Sequence, residues 1–430
     1  VNWYQLFDPL TAKWLTLGIF ALAYIVILWR KINIAFVSLT AAGLLIVLGI
    51  TDPARAFLVA VNWDVIALYW GYSMLAFAFL KSAVPSLLVN KMLSRVRKEK
   101  YAVLMLCIIA MVLSSAMPNP VVVVMLAPIA IEMSEKLKGN LFRYMIALAV
   151  CANMVTTVSM IADPPALILA LSTGMQFLDF YWFQGKIGLG TISILGIGVS
   201  LFVVLFQFRK LSAPVTIPAE TIRISWGPTI IFLASVLVLA AVPWNSLGEW
   251  NHVGIVGLVV GAICLSGAFR KGYLKDMLKE SDIGTLAFLV GIFICVATIE
   301  EVGLLQDFSL WLGGLGLKNT FVYLAIFTWL SVLLSAFIDN VPFTVLMIPV
   351  CAGVAEALGV SPWPFYFGML IGTGIGGNLT PVGATANVLA CGILEKRGYT
   401  ITLGGFARIA YPLTFSAVMA AFLLVALVWL

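Results

Sequence analysis

The chain has 430 residues, 62% of them hydrophobic and only 10% charged, with a formal net charge of +6 and a mean hydropathy of +1.09. A soluble domain has about 25% charged residues. This composition, with long apolar runs along the whole length, therefore excludes a soluble globular or nucleic-acid-binding protein and reads as a polytopic helical membrane protein. The six cysteines (Cys107, Cys151, Cys264, Cys295, Cys351, Cys391) lie in apolar runs with no CxxC spacing, and His252 is the single histidine. A disulfide framework, a zinc site and a haem or metal enzyme are not indicated, so no metal or cofactor is expected.

The opening Val-Asn-Trp-Tyr-Gln has no basic n-region and no cleavage site, so no signal peptide is expected. Helices are predicted over about 11–29, closed by Arg30-Lys31, and about 34–50. After a turn at Asp52-Pro53, a third helix covers about 64–80, and a basic amphipathic connector follows with Lys81, Lys91, Arg95, Arg97, Lys98 and Lys100. The apolar run at about 101–132 is too long for one span and is broken by Pro118-Asn119-Pro120, which predicts a re-entrant hairpin with its tip near 118–120. The next helix starts near 141, is broken over 153–165 and resumes to about 173; another covers about 187–208. A polar linker at about 211–224, with Pro214 and Pro218, marks the midpoint.

The pattern then repeats, which divides the chain into 1–215 and 216–430. Plain helices at about 226–242 and 253–269 lead to a basic loop, then a helix at about 283–298. A second hairpin, at about 320–355, has its tip near 338–342, and a second broken helix is interrupted over 372–387. A last helix covers about 406–430. The irregular points align: Asn119 with Asn340, Pro128 with Pro349, and 159–166 with 380–387. Matching breaks in two halves are the best sequence pointer to a transporter binding site. With both termini outside, only Lys13, Arg55, Lys186 and Lys318 of the 25 Lys and Arg fall on the outer side, and Arg408 sits close to the inner face. That asymmetry obeys the positive-inside rule, and it makes the repeats inverted in a multi-pass protein of the cell (inner) membrane. The fold class expected is an all-α polytopic membrane protein of two inverted-topology repeats, each with a re-entrant helical hairpin and a broken helix.

A carboxylate inside the membrane is costly and marks function by default. Asp163 lies in the first break and Asp339 at the second hairpin tip; the competing reading of each is a helix cap, and Asp64 reads as an interfacial N-cap. Repeat one has Pro118 where repeat two has Asp339, and repeat two has Ala384 where repeat one has Asp163. One acid per repeat suits proton or cation coupling, because desolvation can bring a buried acid into the physiological titration range. The expected solute shell is uncharged: Asn119, Asn153, Thr156, Thr157, Ser159, Asn340, Asn378, Thr380, Thr385 and Asn387, which supply both donors and acceptors. No Lys or Arg lies near either break, which favours a neutral polyhydroxy solute or a small cation over a dicarboxylate or phosphate.

Ser335-Ala-Phe-Ile-Asp-Asn-Val-Pro-Phe-Thr344, Gly376-Gly-Asn-Leu-Thr-Pro-Val-Gly-Ala-Thr-Ala-Asn387, Ile393-Leu-Glu-Lys-Arg-Gly-Tyr399 and Ala162-Asp-Pro-Pro165 resemble the ArsB/NhaD permeases of the ion transporter superfamily. The resemblance covers about 63–411. It implies alternating access of the elevator type, often in a homodimer, and members that export arsenite or antimonite, exchange sodium for protons, or transport anions. The chain departs from that pattern at Pro118, Val155-Thr156 and Ala166, and it lacks the Ser-Asn-Thr motif of the citrate-like symporters.

The expectation drawn is a secondary transporter exporting arsenite or antimonite as the neutral trihydroxide in exchange for protons, with Asp163 and Asp339 handling the protons. A sodium/proton antiporter is the first alternative and an anion symporter the second. An enzyme is not expected, since the only histidine is peripheral and neither HExxH nor GxSxG occurs. Besides solute, protons and lipid, the partners left open are a second copy of the chain and a soluble ATPase on the basic cytoplasmic face.

Overall fold

A computed structural model describes residues 7–29, 32–93, 96–214, 224–246, 252–279, 281–314, 319–338 and 340–430. Asp339 lies outside the described residues, as do Arg30, Lys31, Arg95, Pro218 and Lys318. Among the described residues, the regular structure is helical apart from one two-stranded hairpin and an isolated bridge between Lys98 and Pro214. Among the described residues, 6 helices are long and apolar enough to cross a membrane.

The first half opens with α1 (Pro9–Trp29) and α2 (Ile34–Val47), the latter capped by the Asn33 side chain. Asp52 caps a short α3 (Pro53–Arg55), which continues as a π-turn over Ala56–Ala60. Helix α4 (Trp63–Lys81) is capped by Asn62, and the amphipathic α5 (Val84–Leu93) follows. The hairpin is α6 (Glu99–Ser114) and α7 (Asn119–Leu137). Pro118 and Pro120 sit at the cap and first turn of α7, where no ladder bond is lost. The broken helix is α8 (Leu141–Asn153), a 3-10 turn at Met154–Thr157, an unwound 158–163, and α9 (Pro164–Thr173). Strands β1 (Trp182–Phe183) and β2 (Lys186–Ile187) lead to α10 (Leu189–Gln207).

The second half runs α11 (Gly227–Ala241), α12 (Gly254–Arg270), the short α13 (Leu274–Lys279), α14 (Ile283–Glu301) and the amphipathic α15 (Leu304–Gly313). Its hairpin is α16 (Thr320–Ser335) and α17 (Asn340–Leu358). Its broken helix is α18 (Trp363–Gly376), a 3-10 turn at Gly377–Leu379, an unwound 380–384, and α19 (Thr385–Lys396); α20 (Leu403–Trp429) closes the chain. Paired elements start at 99 and 320, 119 and 340, and 164 and 385, a constant step of 221 residues.

Inversion of the repeats follows from packing. Asp64 meets Gly254, Leu68 meets Gly257 and Trp70 meets Gly261, so α4 runs parallel to α12. Ser38 meets Phe288 and Gly291 while Thr51 bonds Glu301, so α2 runs parallel to α14. Consecutive spans are antiparallel. The third helix of each repeat can lie parallel to the second helix of the other only if the repeats are upside down to each other.

These crossings assemble α1, α2, α4, α11, α12 and α14 into one group. The hairpins, broken helices, α10 and α20 form a second group, and α5 and α15 join the two. Close approach depends on absent side chains. A Cβ on Gly71 would lie 2.0 Å from the Gly257 carbonyl oxygen. Without water to drive helix association in lipid, such small-residue crossings supply the packing. Glu99, buried at the start of α6, accepts the Tyr144 hydroxyl, and its backbone N–H bonds Ala213 O, which ties the linker to the hairpin.

One expectation changes. The second break is narrower than 372–387, because Gly372, Gly374 and Gly376 are helical. Gly368, Gly372 and Gly376 form a one-sided stripe that lets α18 press against α16, with a Cβ on Gly372 only 2.2 Å from Thr328 O. Gly368 and Gly372 shorten the distance between helices rather than ending one, and Gly376 is the last residue of α18.

Candidate functional site

The two broken helices meet back to back, and a chain of asparagine amides joins them. Asn119 Nδ2 donates to Asn153 Oδ1 (3.2 Å), and Asn153 Nδ2 donates to Asn378 Oδ1 (3.2 Å). Asn378 Nδ2 donates to Val150 O (3.1 Å). Asn387 Nδ2 reaches Asn378 Oδ1 (3.3 Å), Gly377 O (3.2 Å) and Thr380 O (3.4 Å). All four side chains are buried.

The direction of this chain is forced. Val150 O can only accept, so the Asn378 amide must turn its nitrogen there and its oxygen toward Asn153. Asn153 must then answer with nitrogen, which leaves its oxygen for Asn119. The outermost atoms are therefore acceptors. Asn119 Oδ1 and Asn387 Oδ1 are buried without a partner among the described residues, as is Thr156 Oγ1. Unpaired buried acceptors are costly, so such an arrangement is completed by a donor or a cation.

Hairpin two is tied to its own broken helix in parallel fashion. Ser335 Oγ lies 2.7 Å from Thr373 O and 2.6 Å from Asn340 Oδ1, and Thr380 Oγ1 donates to Ala336 O (2.7 Å). Other expected site residues face elsewhere. Thr157 pairs with Ser193 of α10 (2.8 Å), and the Ser159 hydroxyl oxygen accepts from Ile161 N (3.3 Å). Thr385 is exposed at the first turn of α19 and stands outside the amide chain.

Asp163 occupies the N-cap position of α9 in extended backbone (φ −157, ψ 149), yet its side chain makes no capping bond. The capping reading fails for a chemical reason: Pro164 and Pro165 have no N–H to offer, and Ala166 N and Leu167 N already bond Asp163 O. Ala384 holds the equivalent place at α19 with similar backbone (φ −134, ψ 144) and no acid. The first half-helix thus presents a carboxylate over an amide-poor turn, and the second presents a neutral helix N-terminus. Asp64 belongs to the first turn of α4, and its Oδ1 accepts Gly254 N (2.8 Å), which stitches α4 to α12. Arg143, the nearest cation before the first break, is engaged away from the site with Gln207 O (2.8 Å) and the Phe208 ring.

Tyr69 and Asp282 were not singled out from the sequence. The Tyr69 hydroxyl of α4 donates to Asp282 Oδ2 (2.6 Å), and α4 packs against α9, the half-helix that Asp163 precedes. Asp282 follows a basic loop and precedes a helix, so from sequence alone it reads as an ordinary cap.

A family model described as a citrate transporter, CitMHS, matches residues 24–372, most of the chain. The chain belongs to the CitMHS family. An uncharacterized transporter of Mycobacterium tuberculosis is 26% identical over 91% of this chain and 92% of its own length. The P protein of Homo sapiens is 23% identical over 92% of this chain and 57% of its own length. The solved YdaH transporter of Alcanivorax borkumensis, described as having an unusual topology, aligns over 97% of both chains with a TM-score of 0.61 at 15% identity. The chain is thus a membrane transporter with two inverted repeats. The match bears out the coarse part of the ArsB/NhaD resemblance, a transporter of this architecture, and does not extend to its arsenite or sodium branches. The family model ends before Asn378, Thr380 and Asn387, which are brought together by the geometry described above.

Proposed function

We propose that this CitMHS member is a proton-coupled secondary transporter of a small, oxygen-rich solute. Asp163 and Asp339 handle the coupling proton, and the solute sits against the ends of the amide chain. The observation behind this reading is the pair of orphan acceptors, Asn119 Oδ1 and Asn387 Oδ1, flanking a region without a cationic side chain. Such a site suits hydroxyl donors. The finer reading that follows is export of arsenite or antimonite as the neutral trihydroxide in exchange for protons. The loop charges support both termini on the outer face.

A second reading has its own support. The family description names citrate, and the acid-free N-terminus of α19 offers partial positive charge to a carboxylate. Proteoliposomes under an imposed pH gradient separate the two. Gradient-driven accumulation of arsenite or antimonite without citrate supports the first, and citrate uptake alone replaces it with the second. Proton release by Na⁺, with neither solute moving, would leave a sodium/proton antiporter. Flux that never exceeds equilibrium would leave a channel.

A further inference from the structure

The constant step of 221 residues sets hairpin one against hairpin two side chain by side chain. Ser114 ends α6 as Ser335 ends α16, and Asn119 opens α7 as Asn340 opens α17. The turns agree as well, with φ −72 and ψ −13 at Ser115 and φ −62 and ψ −21 at Ala336. Matching residues on a matching backbone nevertheless bond differently. Ser335 Oγ lies 2.6 Å from Asn340 Oδ1 and 2.7 Å from Thr373 O, and Thr380 Oγ1 donates to Ala336 O, so hairpin two is latched to its broken helix. The counterpart hydroxyls are those of Ser114 and Ser159. Ser114 Oγ is buried without a partner among the described residues, as is Asn119 Oδ1, and Ser159 Oγ accepts from Ile161 N within its own break. Ser114 is 0% exposed and Asn119 6%.

The difference has a packing cause. Where the second broken helix has Gly368, Gly372 and Gly376, the same step places Ala147, Cys151 and Val155 in the first. A Cβ on Gly372 would lie 2.2 Å from Thr328 O and one on Gly376 2.5 Å from Val332 O, so the approach of α16 to α18 tolerates no side chain there. Ala147, Cys151 and Val155 are all buried, and α6 packs against α8 with those side chains in the room that glycine leaves free in repeat two. Hairpin one is therefore held off its broken helix, and the Ser114 hydroxyl falls short of it. A buried hydroxyl and a buried carbonyl left unpaired are costly, and this carbonyl is one end of the amide chain.

We propose that Ser114 is a solute-binding residue, and that a solute hydroxyl makes between hairpin one and its broken helix the link that hairpin two makes for itself. This rests on the reading of an oxygen-rich solute at the ends of the amide chain. The solute O–H donates to Asn119 Oδ1, and its oxygen accepts the Ser114 hydroxyl. Hairpin one is then the half of the site that closes on solute, and hairpin two is a wall that is already shut.

The test uses the full chain in lipid nanodiscs, with arsenite and citrate as probes. Without a probe, Ser335→Ala loses the bond to Thr373 O and lowers the thermal midpoint by about 2 °C or more, whereas Ser114→Ala breaks no bond and keeps the wild-type midpoint. With the probe that shifts the wild type, Ser114→Ala needs about tenfold more of it for half of the shift. The same probe slows amide hydrogen exchange over 115–118 about fivefold or more and leaves 336–338 unchanged. Wild-type probe affinity in Ser114→Ala overturns the assignment. So does a probe-free midpoint that falls as far in Ser114→Ala as in Ser335→Ala, because Ser114 would then have a partner within the chain. If neither arsenite nor citrate shifted the wild type, the solute reading itself would be refuted, whereas the probe-free midpoints read the asymmetry of the two hairpins without it.

Discussion

The directed amide chain predicts an unequal cost for removing its members. Asn378→Ala deletes the central link. Val150 O loses its donor and Asn153 Nδ2 loses its acceptor, whereas Asn387 Nδ2 keeps Gly377 O and Thr380 O. Two buried polar groups left unpaired cost about 1–3 kcal/mol each, so the loss is about 4 kcal/mol before any cavity is counted. Asn119→Ala removes an end link. Only Asn153 Oδ1 is orphaned, and the already unpartnered Asn119 Oδ1 disappears with the side chain, so the net cost is about 1 kcal/mol. The expected gap is about 3 kcal/mol. Detergent-titrated unfolding in mixed micelles, followed by tryptophan fluorescence, measures it. Equal losses in the two variants, or a larger loss for Asn119→Ala, would mean that Val150 O does not set the direction of the chain. The argument for acceptors at the site would then fail with it.

Asp163→Asn and Asp339→Asn are each expected to abolish coupled transport in proteoliposomes while the protein still elutes as a folded, monodisperse species; wild-type rates in either would remove that residue from the mechanism. Gly374→Ala places a Cβ 2.2 Å from Thr156 Oγ1, so it should lower the thermal midpoint, and adding Thr156→Ala should recover most of the loss, because that hydroxyl has no partner among the described residues. Gly71→Ala meets rigid backbone at Gly257 O and Gly291→Ala meets Ser38, so each should destabilise by about 2 kcal/mol or more in the same unfolding assay. Gly198→Ala meets nothing within 4 Å and should be neutral or mildly stabilising, which makes it the control.

What could be read from the sequence was whatever leaves a mark along the chain. Pro118-Asn119-Pro120 and Asp163-Pro164-Pro165 interrupt apolar runs, and in lipid an interruption needs a reason, so the first hairpin and the first broken helix are legible in the sequence. Glycine was misread at α18 because sequence shows a missing side chain but not what approaches it. Gly368 and Gly372 end no helix; they admit α16. The proline pair after Asp163 was visible from the start, yet its consequence is a matter of bonding: prolines cannot donate, so the acid before them has no amides of its own turn to cap. Tyr69 and Asp282 lay beyond sequence reasoning for a different reason. They are 213 residues apart, on helices that meet only because one repeat is inverted against the other. Neither residue is anomalous in its own segment. Asp282 becomes unusual once the left-handed backbone and the tyrosine donor are seen together, since an acid that served only as a cap would need neither. The same inversion that brings the two breaks together also brings the Tyr69 hydroxyl of α4 onto the acid that caps α14.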